Sequence, residues 1–206
     1  MYTVLAAVSE TLRQMIADAV AADIGPGGLA GFFSGVGIVS LETPREMRDD
    51  NHQGLSLWLY RVERDDQRLN DPPRIRPLPG GGIEIMPTPL PLRLHYLVTP
   101  LADGSPDREQ RILGLVMQVF HTQSIVSGPL LRGDLAGTDS EFHLHLEALG
   151  VDEIARVWEA LDGSYQLCVS YEVSLARIET QADPLRAVPV ESVRADAALI
   201  LGREPL

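Results

Sequence analysis

Tyr165-Gln166-Leu167-Cys168-Val169-Ser170-Tyr171-Glu172-Val173-Ser174-Leu175 is the stretch that decides the fold class. Tyr165, Leu167, Val169, Tyr171, Val173 and Leu175 occupy alternate positions, and Gln166, Ser170, Glu172 and Ser174 fall between them. Successive side chains of a strand point to opposite faces, so this pattern predicts a long strand with one apolar and one polar face. Simple alternation of this kind is the mark of an antiparallel sheet. Cys168 falls on the side opposite the apolar set, with no base beside it in sequence, and reads as an inert small residue rather than a nucleophile.

Working outward, Phe142 to Glu147 alternates in the same way, with Phe142, Leu144 and Leu146 in and His143, His145 and Glu147 out. Leu55 to Glu63 carries Leu55, Leu57 and Leu59 on one face and Trp58, Tyr60 and Val62 on the other. Apolar residues on both faces predict a strand covered on both sides. Leu92 to Val98 is a further strand, and Val36 to Leu41 a short one. Three amphipathic helices are expected. The first 22 residues place Leu5, Val8, Leu12, Met15, Ile16 and Ala19 on one stripe. Ser105-Pro106, an N-cap followed by proline at the first helical position, opens a helix to about His121. Its inner stripe is Ile112, Leu115, Val116, Val119 and Gln123, with Leu113 and Phe120 beside it. Asp152 to Leu161 turns Ile154, Val157, Trp158 and Leu161 inward. Residues 42–53 and 124–138 read as loops.

Two segments break the pattern. Seven of the 15 prolines lie in 64–91, around Gly80-Gly81-Gly82. Proline removes backbone donors, so this is a long excursion and not a helix. Ile83-Glu84-Ile85-Met86 can add a short hairpin strand there. Residues 180–206, punctuated by Pro184, Pro189 and Pro205, read as an extended C-terminal arm leaving a domain of residues 1–179. At full extension the arm reaches about 90 Å. The fold expected is α/β (α+β): a largely antiparallel sheet flanked by helices, with that arm.

Composition removes several functions. The 206 residues carry 29 acids against 17 bases, a net charge of −12. Duplex DNA needs many cations at its phosphates and an anionic membrane repels this charge, so neither is an expected partner. Every base is Arg. Without lysine there is no P-loop and no Schiff base. One cysteine excludes an internal disulfide and Cys-rich zinc sites. Glu10, Arg13, Asp18 and Asp23 interrupt the apolar run Val4 to Ile24, which is not a membrane span. Met1 to Leu5 has no basic region of a secretory signal, so assembly is expected to begin in the cytoplasm.

Catalytic patterns are scarce. His143-x-His145, with Glu147 continuing the face, has the spacing some metal sites use, but spacing supplies no third ligand. Asp49-Asp50 and Asp65-Asp66 are acid pairs that solvent alone explains. Gly25-Pro26-Gly27-Gly28 and Gly35-Val36-Gly37 lack the strand and helix context of a phosphate cradle. There is no G-x-S-x-G and no HExxH. No catalytic residue, cofactor or metal is expected. Arg61, Arg64, Arg68, Arg74 and Arg76 interleave with Glu63, Asp65, Asp66 and Asp71, which predicts ion pairing or a charged protein contact. Between Asp134 and Asp162 lie eight acids and one Arg, an acidic face suited to a basic partner or to solvent.

Several segments in order resemble a known family. They are Leu57-Trp58-Leu59-Tyr60-Arg61-Val62-Glu63 with Arg68-Leu69-Asn70, then Leu92-Arg93-Leu94-His95-Tyr96-Leu97-Val98-Thr99-Pro100. Arg111-Ile112-Leu113-Gly114, Met117-Gln118 and His121 follow, then Leu146-Glu147-x-Leu149, Trp158-x-Ala160-Leu161 and Tyr165-x-Leu167-x-Val169-x-Tyr171-x-Val173. Over residues 3–180 the chain resembles the N-terminal domain of the cap, or tail terminator, of contractile injection systems, as in the Photorhabdus virulence cassette and the antifeeding prophage. The resemblance implies a mixed sheet flanked by helices and a structural role with no catalytic residues. It implies a homo-hexameric ring that closes the distal end of sheath and inner tube, stops polymerisation, and belongs to a particle either released or retained. Many family members carry longer C-terminal regions. The ring contacts expected are Arg68, Arg74, Arg76, Leu185, Arg186, Val188, Val190, Val193, Arg194 and Leu199, with the arm adding a strand to a neighbour's sheet edge. Alternatives are another tail connector or sheath-associated adaptor, a small metal-dependent enzyme using His143, His145 and Glu147, and a small-molecule binding module.

Overall fold

The structure is a computed structural model that describes residues 2–79, 81–178, 180 and 182–187. The chain divides into two compact units. One is Met1–Asn70 with Pro89–Thr180, and the other is Asp71–Thr88 with Gln181–Leu206.

The first unit opens with helix α1 (Val4–Ala22), which buries Val8, Leu12, Met15 and Ile16 of the expected stripe and also Val20, while Leu5 and Ala19 are half-buried. A short helix α2 (Ala30–Gly35) precedes strand β1 (Gly37–Ser40). The expected loop at 42–53 instead contains helix α3 (Pro44–Asp49). Thr43 accepts from the Glu46 amide, Glu46 accepts from the Thr43 amide, and Pro44 presets the first turn. This reciprocal cap supplies donors and acceptors that six residues could not satisfy alone. The helix buries Met47.

Strand β2 (Gln53–Arg64) follows, then a single 3-10 turn at Asp66–Arg68, then beyond the excursion β5 (Leu90–Leu101). Helix α4 is Pro106–Thr122, β6 is Ile125–Ser127, β7 is Glu141–Glu147, α5 is Val151–Ala160 and β8 is Val169–Ile178. The six strands run in the order β1-β2-β5-β8-β7-β6, with β1 parallel to β2 and every other pair antiparallel. Sheet and helices are therefore mixed α/β with a largely antiparallel sheet. At the parallel edge the chains approach so closely that a Cβ on Gly54 would lie 2.0 Å from the Ile38 carbonyl, at a φ of 125°. Only glycine fits there.

One face of the sheet packs on α1 and α4 through Leu55, Leu57, Leu94, Tyr96, Val98, Phe142, Leu144, Tyr171 and Val173. Tyr96 is fully buried and its hydroxyl pairs with Ser9 Oγ at 2.7 Å. The opposite face was expected to be polar, but Leu97, Trp158, Leu161 and Cys168 bury there, with Trp58, Tyr60, Ile154 and Val157 against them. Helix α5 thus covers the second face. Cys168 accepts from the Trp158 indole N–H at 3.5 Å, and burial pushes its thiol pKa up. A thiol held protonated is a poor nucleophile.

Several expected orientations are corrected. A bulge between Leu59 and Arg61 sets both Tyr60 and Arg61 opposite His95. Val62 then lies opposite Leu94, on the face of Leu59 and not of Trp58. Leu146, next to last in β7, is 51% exposed rather than inside. In α4 the buried residues are Ile112, Leu113, Val116 and Phe120, whereas Gln123 lies past the helix and exposed. Residues 124–138 hold β6 and two 3-10 turns instead of a plain loop. The last strand starts at Val169, leaving Tyr165 and Leu167 exposed. Val169 faces Val98, and Ser170 faces the terminal β7 residue Glu147, so residues 165–168 have no ladder to join. The side chain of Leu175 lies outside the described ones.

In the second unit, β3 (Ile75–Leu78) and β4 (Gly82–Ile85) form a hairpin, and β9 (Leu185–Ala187) adds to the free edge of β4, all antiparallel. The expected strand at Ile83–Met86 is β4. Met86 lies outside it but donates its amide to the Arg74 carbonyl at 2.8 Å.

Candidate functional site

The register of the small sheet sorts its residues into two faces. Ile75, Ile85 and Leu185 stand in one row across the three strands, and Pro77, Ile83 and Ala187 in the next row on the same face. Arg76, Glu84 and Arg186 form the row on the other face. Both arginines reach the central carboxylate, Arg76 at 3.9 Å and Arg186 at 3.7 Å. One carboxylate cannot neutralise two guanidinium groups, so this face keeps an excess of positive charge. The apolar face is open: Ile75 is 59% and Leu185 70% exposed. A contiguous exposed apolar face with a charged reverse is the composition of a protein-binding surface.

Three of the expected contact residues, Arg76, Leu185 and Arg186, are therefore brought onto one sheet, and Arg74 lies one residue before β3. Arg68 is in the first unit, on the 3-10 turn, 3.8 Å from the buried Asp65. Val188, Val190, Val193, Arg194 and Leu199 lie outside the described residues. The arm was expected to pair with a neighbour's edge, but Leu185–Ala187 pair with β4 of the same chain. β3 occupies only one side of β4, and Glu84 draws Arg186 to the other.

The expected ion pairing within 61–76 is present. Arg61 pairs with Glu63, Arg64 with Asp66 at 2.7 Å, and Arg93 with Asp65 at 3.5 Å. Among exposed pairs such contacts contribute about 0–1 kcal/mol each.

The histidine pair behaves differently from its sequence pattern. His143 Nε2 is 3.0 Å from Glu141 Oε1, and its ring centroid is 6.3 Å from that of His145. Glu147 does not join them. It bonds His95 Nδ1 at 2.9 Å through Oε1 and accepts from Ser170 Oγ at 2.5 Å through Oε2. His95, Glu147 and Glu172 do bring donor atoms within 4.8 Å of one another. Arg93 already sits 3.6 Å from Glu172, and a guanidinium at that carboxylate repels a second cation. The cluster is an ion-pair network across four strands. A second grouping, Glu42, Asp50 and His52, is surface-exposed and includes an ordinary 3.2 Å His52–Glu42 contact. A groove of about 490 Å³ between α1 and α4 is floored by Met15, Ala19, Leu115 and Val119, and neither histidine nor cysteine lines it. Ser170, Glu147 and His95 are hydrogen-bonded in series, but Ser170 and His95 are each 3% exposed, so a substrate has no approach to that hydroxyl. No helix among the described residues is long and apolar enough to cross a membrane.

The mixed six-stranded sheet with helices on both faces, together with a three-stranded sheet, places the chain in a fold class that tube-terminating proteins share. Within that class, the chain belongs to the Pvc16 N-terminal domain family, whose model matches residues 7–192. The fold is similar to the PVC sheath/tube terminator of an extracellular contractile injection system in its extended state. The TM-score is 0.56 at 14% identity, covering 94% of this chain and 64% of the terminator. It is also similar to the tube-terminating cap of the anti-feeding prophage, with a TM-score of 0.55 at 14% identity, covering 89% of this chain and 59% of the cap. The chain thus spans somewhat under two thirds of the length of these solved structures. No curated protein sequence matches it.

Proposed function

We propose that the chain is a structural cap of a contractile injection system, without enzymatic activity. Six copies form a closed ring at the distal end of sheath and inner tube and stop their polymerisation. The ring assembles in the cytoplasm as part of a phage-tail-like particle, released or retained, and takes neither nucleic acid nor membrane as partner. The observation that carries this reading is the match of nearly the whole chain to two tube-terminating proteins, 94% of it in one case.

The geometry supports it. A cyclic ring needs head-to-tail contacts between unlike surfaces. The small sheet supplies one such surface in the row Ile75, Ile85 and Leu185 and the arginines Arg76 and Arg186. Arg68, Arg74, Val188, Val190, Val193, Arg194 and Leu199 are proposed as further ring contacts.

Purified full chain is expected to bind one end, and one only, of sheath–tube particles assembled without it, and to appear there in electron micrographs as a six-fold ring. Binding along the sheath wall would make it an adaptor. Absence of binding would remove the cap reading.

A further inference from the structure

His95 is 3% exposed and stands between two carboxylates, Glu147 Oε1 at 2.9 Å from Nδ1 and Glu63 Oε1 at 3.2 Å from Nε2. A neutral imidazole carries a proton on one nitrogen and a lone pair on the other. Whichever tautomer formed, the bare nitrogen would lie within 3.2 Å of a carboxylate oxygen. Only the imidazolium offers a proton to both. The Nε2 contact falls short of hydrogen-bond geometry, and Glu63 acts on the ring less than Glu147 does.

The surroundings are charged from every side. From β2 come Tyr60, whose ring is 6.1 Å from that of His95, Arg61, and Glu63 itself. From β5 comes Arg93, tied to Asp65 and Glu172. From β8 come Glu172, directly opposite His95, and Ser170. From β7 come Glu147 and His145, the latter also opposite Glu172. From α5, Glu153 acts on Tyr60. Arg61 and Arg93 are paired with Glu63, Asp65 and Glu172, and among the described residues Glu147 forms its ion pair with His95 and feels Arg61 only at longer range.

We propose that His95 is a pH-sensitive clasp: its single extra proton ties β2, β5 and β7 together on the α5 side of the sheet, and loss of that proton as pH rises loosens the domain. The hydrogen bond to Glu147 is the largest influence on the ring and raises its pKa, against burial. At Glu147 burial raises the pKa, but the bonds from His95 and Ser170 outweigh it and the net shift is downward. Glu63 follows the same pattern, with Arg61 the chief counterweight to burial. For a group whose pKa rises on folding, the stabilisation is complete below its unfolded value, about 6.5 for histidine, and disappears as pH climbs through the folded one. The two carboxylates add stability that disappears only at acid pH, as it falls through their lowered values. The loss from about pH 6 to about pH 8 therefore belongs to His95, because the buried Cys168 thiol adds a loss of the same sign only as pH nears its unfolded value, about 8.5. The clasp is a property of the domain and holds whether or not the chain is a cap.

The test is urea unfolding of the full chain from about pH 6 to about pH 8, below the range of the unfolded thiol, with His95→Gln and Glu147→Gln as variants. The wild-type unfolding constant is expected to rise with pH, by up to about tenfold per pH unit over the window where His95 titrates. His95→Gln should be less stable at the acid end and lose this slope, and Glu147→Gln should flatten it. Ring ¹⁵N resonances of the wild type should show both His95 nitrogens protonated at about pH 7. Should His95→Gln not fold, Glu147→Gln and the ¹⁵N spectrum still decide. A His95 ring with one bare nitrogen at neutral pH, or an undiminished slope in either variant, would overturn the clasp.

Discussion

Removing residues 185–206 is expected to leave the six-stranded domain as stable as before and to abolish capping of tail ends. All six strands of that domain, and the helices on both its faces, lie outside the deleted segment. Unfolding of that domain should therefore stay within about 0.5 kcal/mol of the parent, the scale of changes away from core features. The small sheet loses more. Deleting β9 takes Leu185 from the row it shares with Ile75 and Ile85, takes Arg186 from Glu84, and leaves the β4 edge unpaired. Fully burying a leucine at an interface contributes about 1.5–3 kcal/mol. A ring repeats each contact around its circumference, so a modest loss per contact becomes a large loss of assembly. Urea unfolding and end-binding by electron microscopy measure the two halves of the prediction. A truncated chain that still forms tail-bound rings would place the contact elsewhere.

Trp158→Ala is expected to cost about 3–5 kcal/mol, the range for removing a buried aromatic side chain. Trp158 is the one described residue of α5 classed as fully buried. It packs with Leu97, Leu161 and Cys168, stacks edge-on with Tyr165, and lies under the Arg48 guanidinium at 5.9 Å. The second core is small, so no neighbouring bulk can collapse into the void, and α5 would lose its anchor on the sheet. Denaturant unfolding measures the loss. A change below about 1 kcal/mol would mean that α5 is not what seals this face.

Trp158 also marks how far the sequence carried. Its place on the inner stripe of a helix was readable from spacing, because Ile154, Val157 and Leu161 share its period. The face it covers was not, because alternation in the last strand shows which side is apolar but not what lies above the other. The central strands were legible through their alternation. Helix α3 was missed because six residues show no helical period, yet Thr43-Pro44-x-Glu46 was a visible capping signal. β3 was hidden by Pro77, which an edge strand tolerates where a central one would not.

Contacts set by register were beyond local reading. Glu147 alternates with His143 and His145, and that pattern drew it into a metal hypothesis, whereas strand pairing puts it on His95 and Ser170. The Val62 assignment failed for a related reason: one extra residue at the bulge reverses the faces beyond it. His95 sits in the stretch that carried the family resemblance, but nothing in Leu94-His95-Tyr96 foretells two carboxylates from strands distant in sequence. The resemblance itself reached the family that the whole-domain match shows.

The central claim, that this chain ends polymerisation, is tested most directly by electron microscopy of particles from cells that lack it. Sheath–tube lengths in those particles are compared with the parent's. The account predicts overlong, ragged or unstable tails, restored to parental length when the full chain is supplied again. Tails of normal length and normal stability would contradict it.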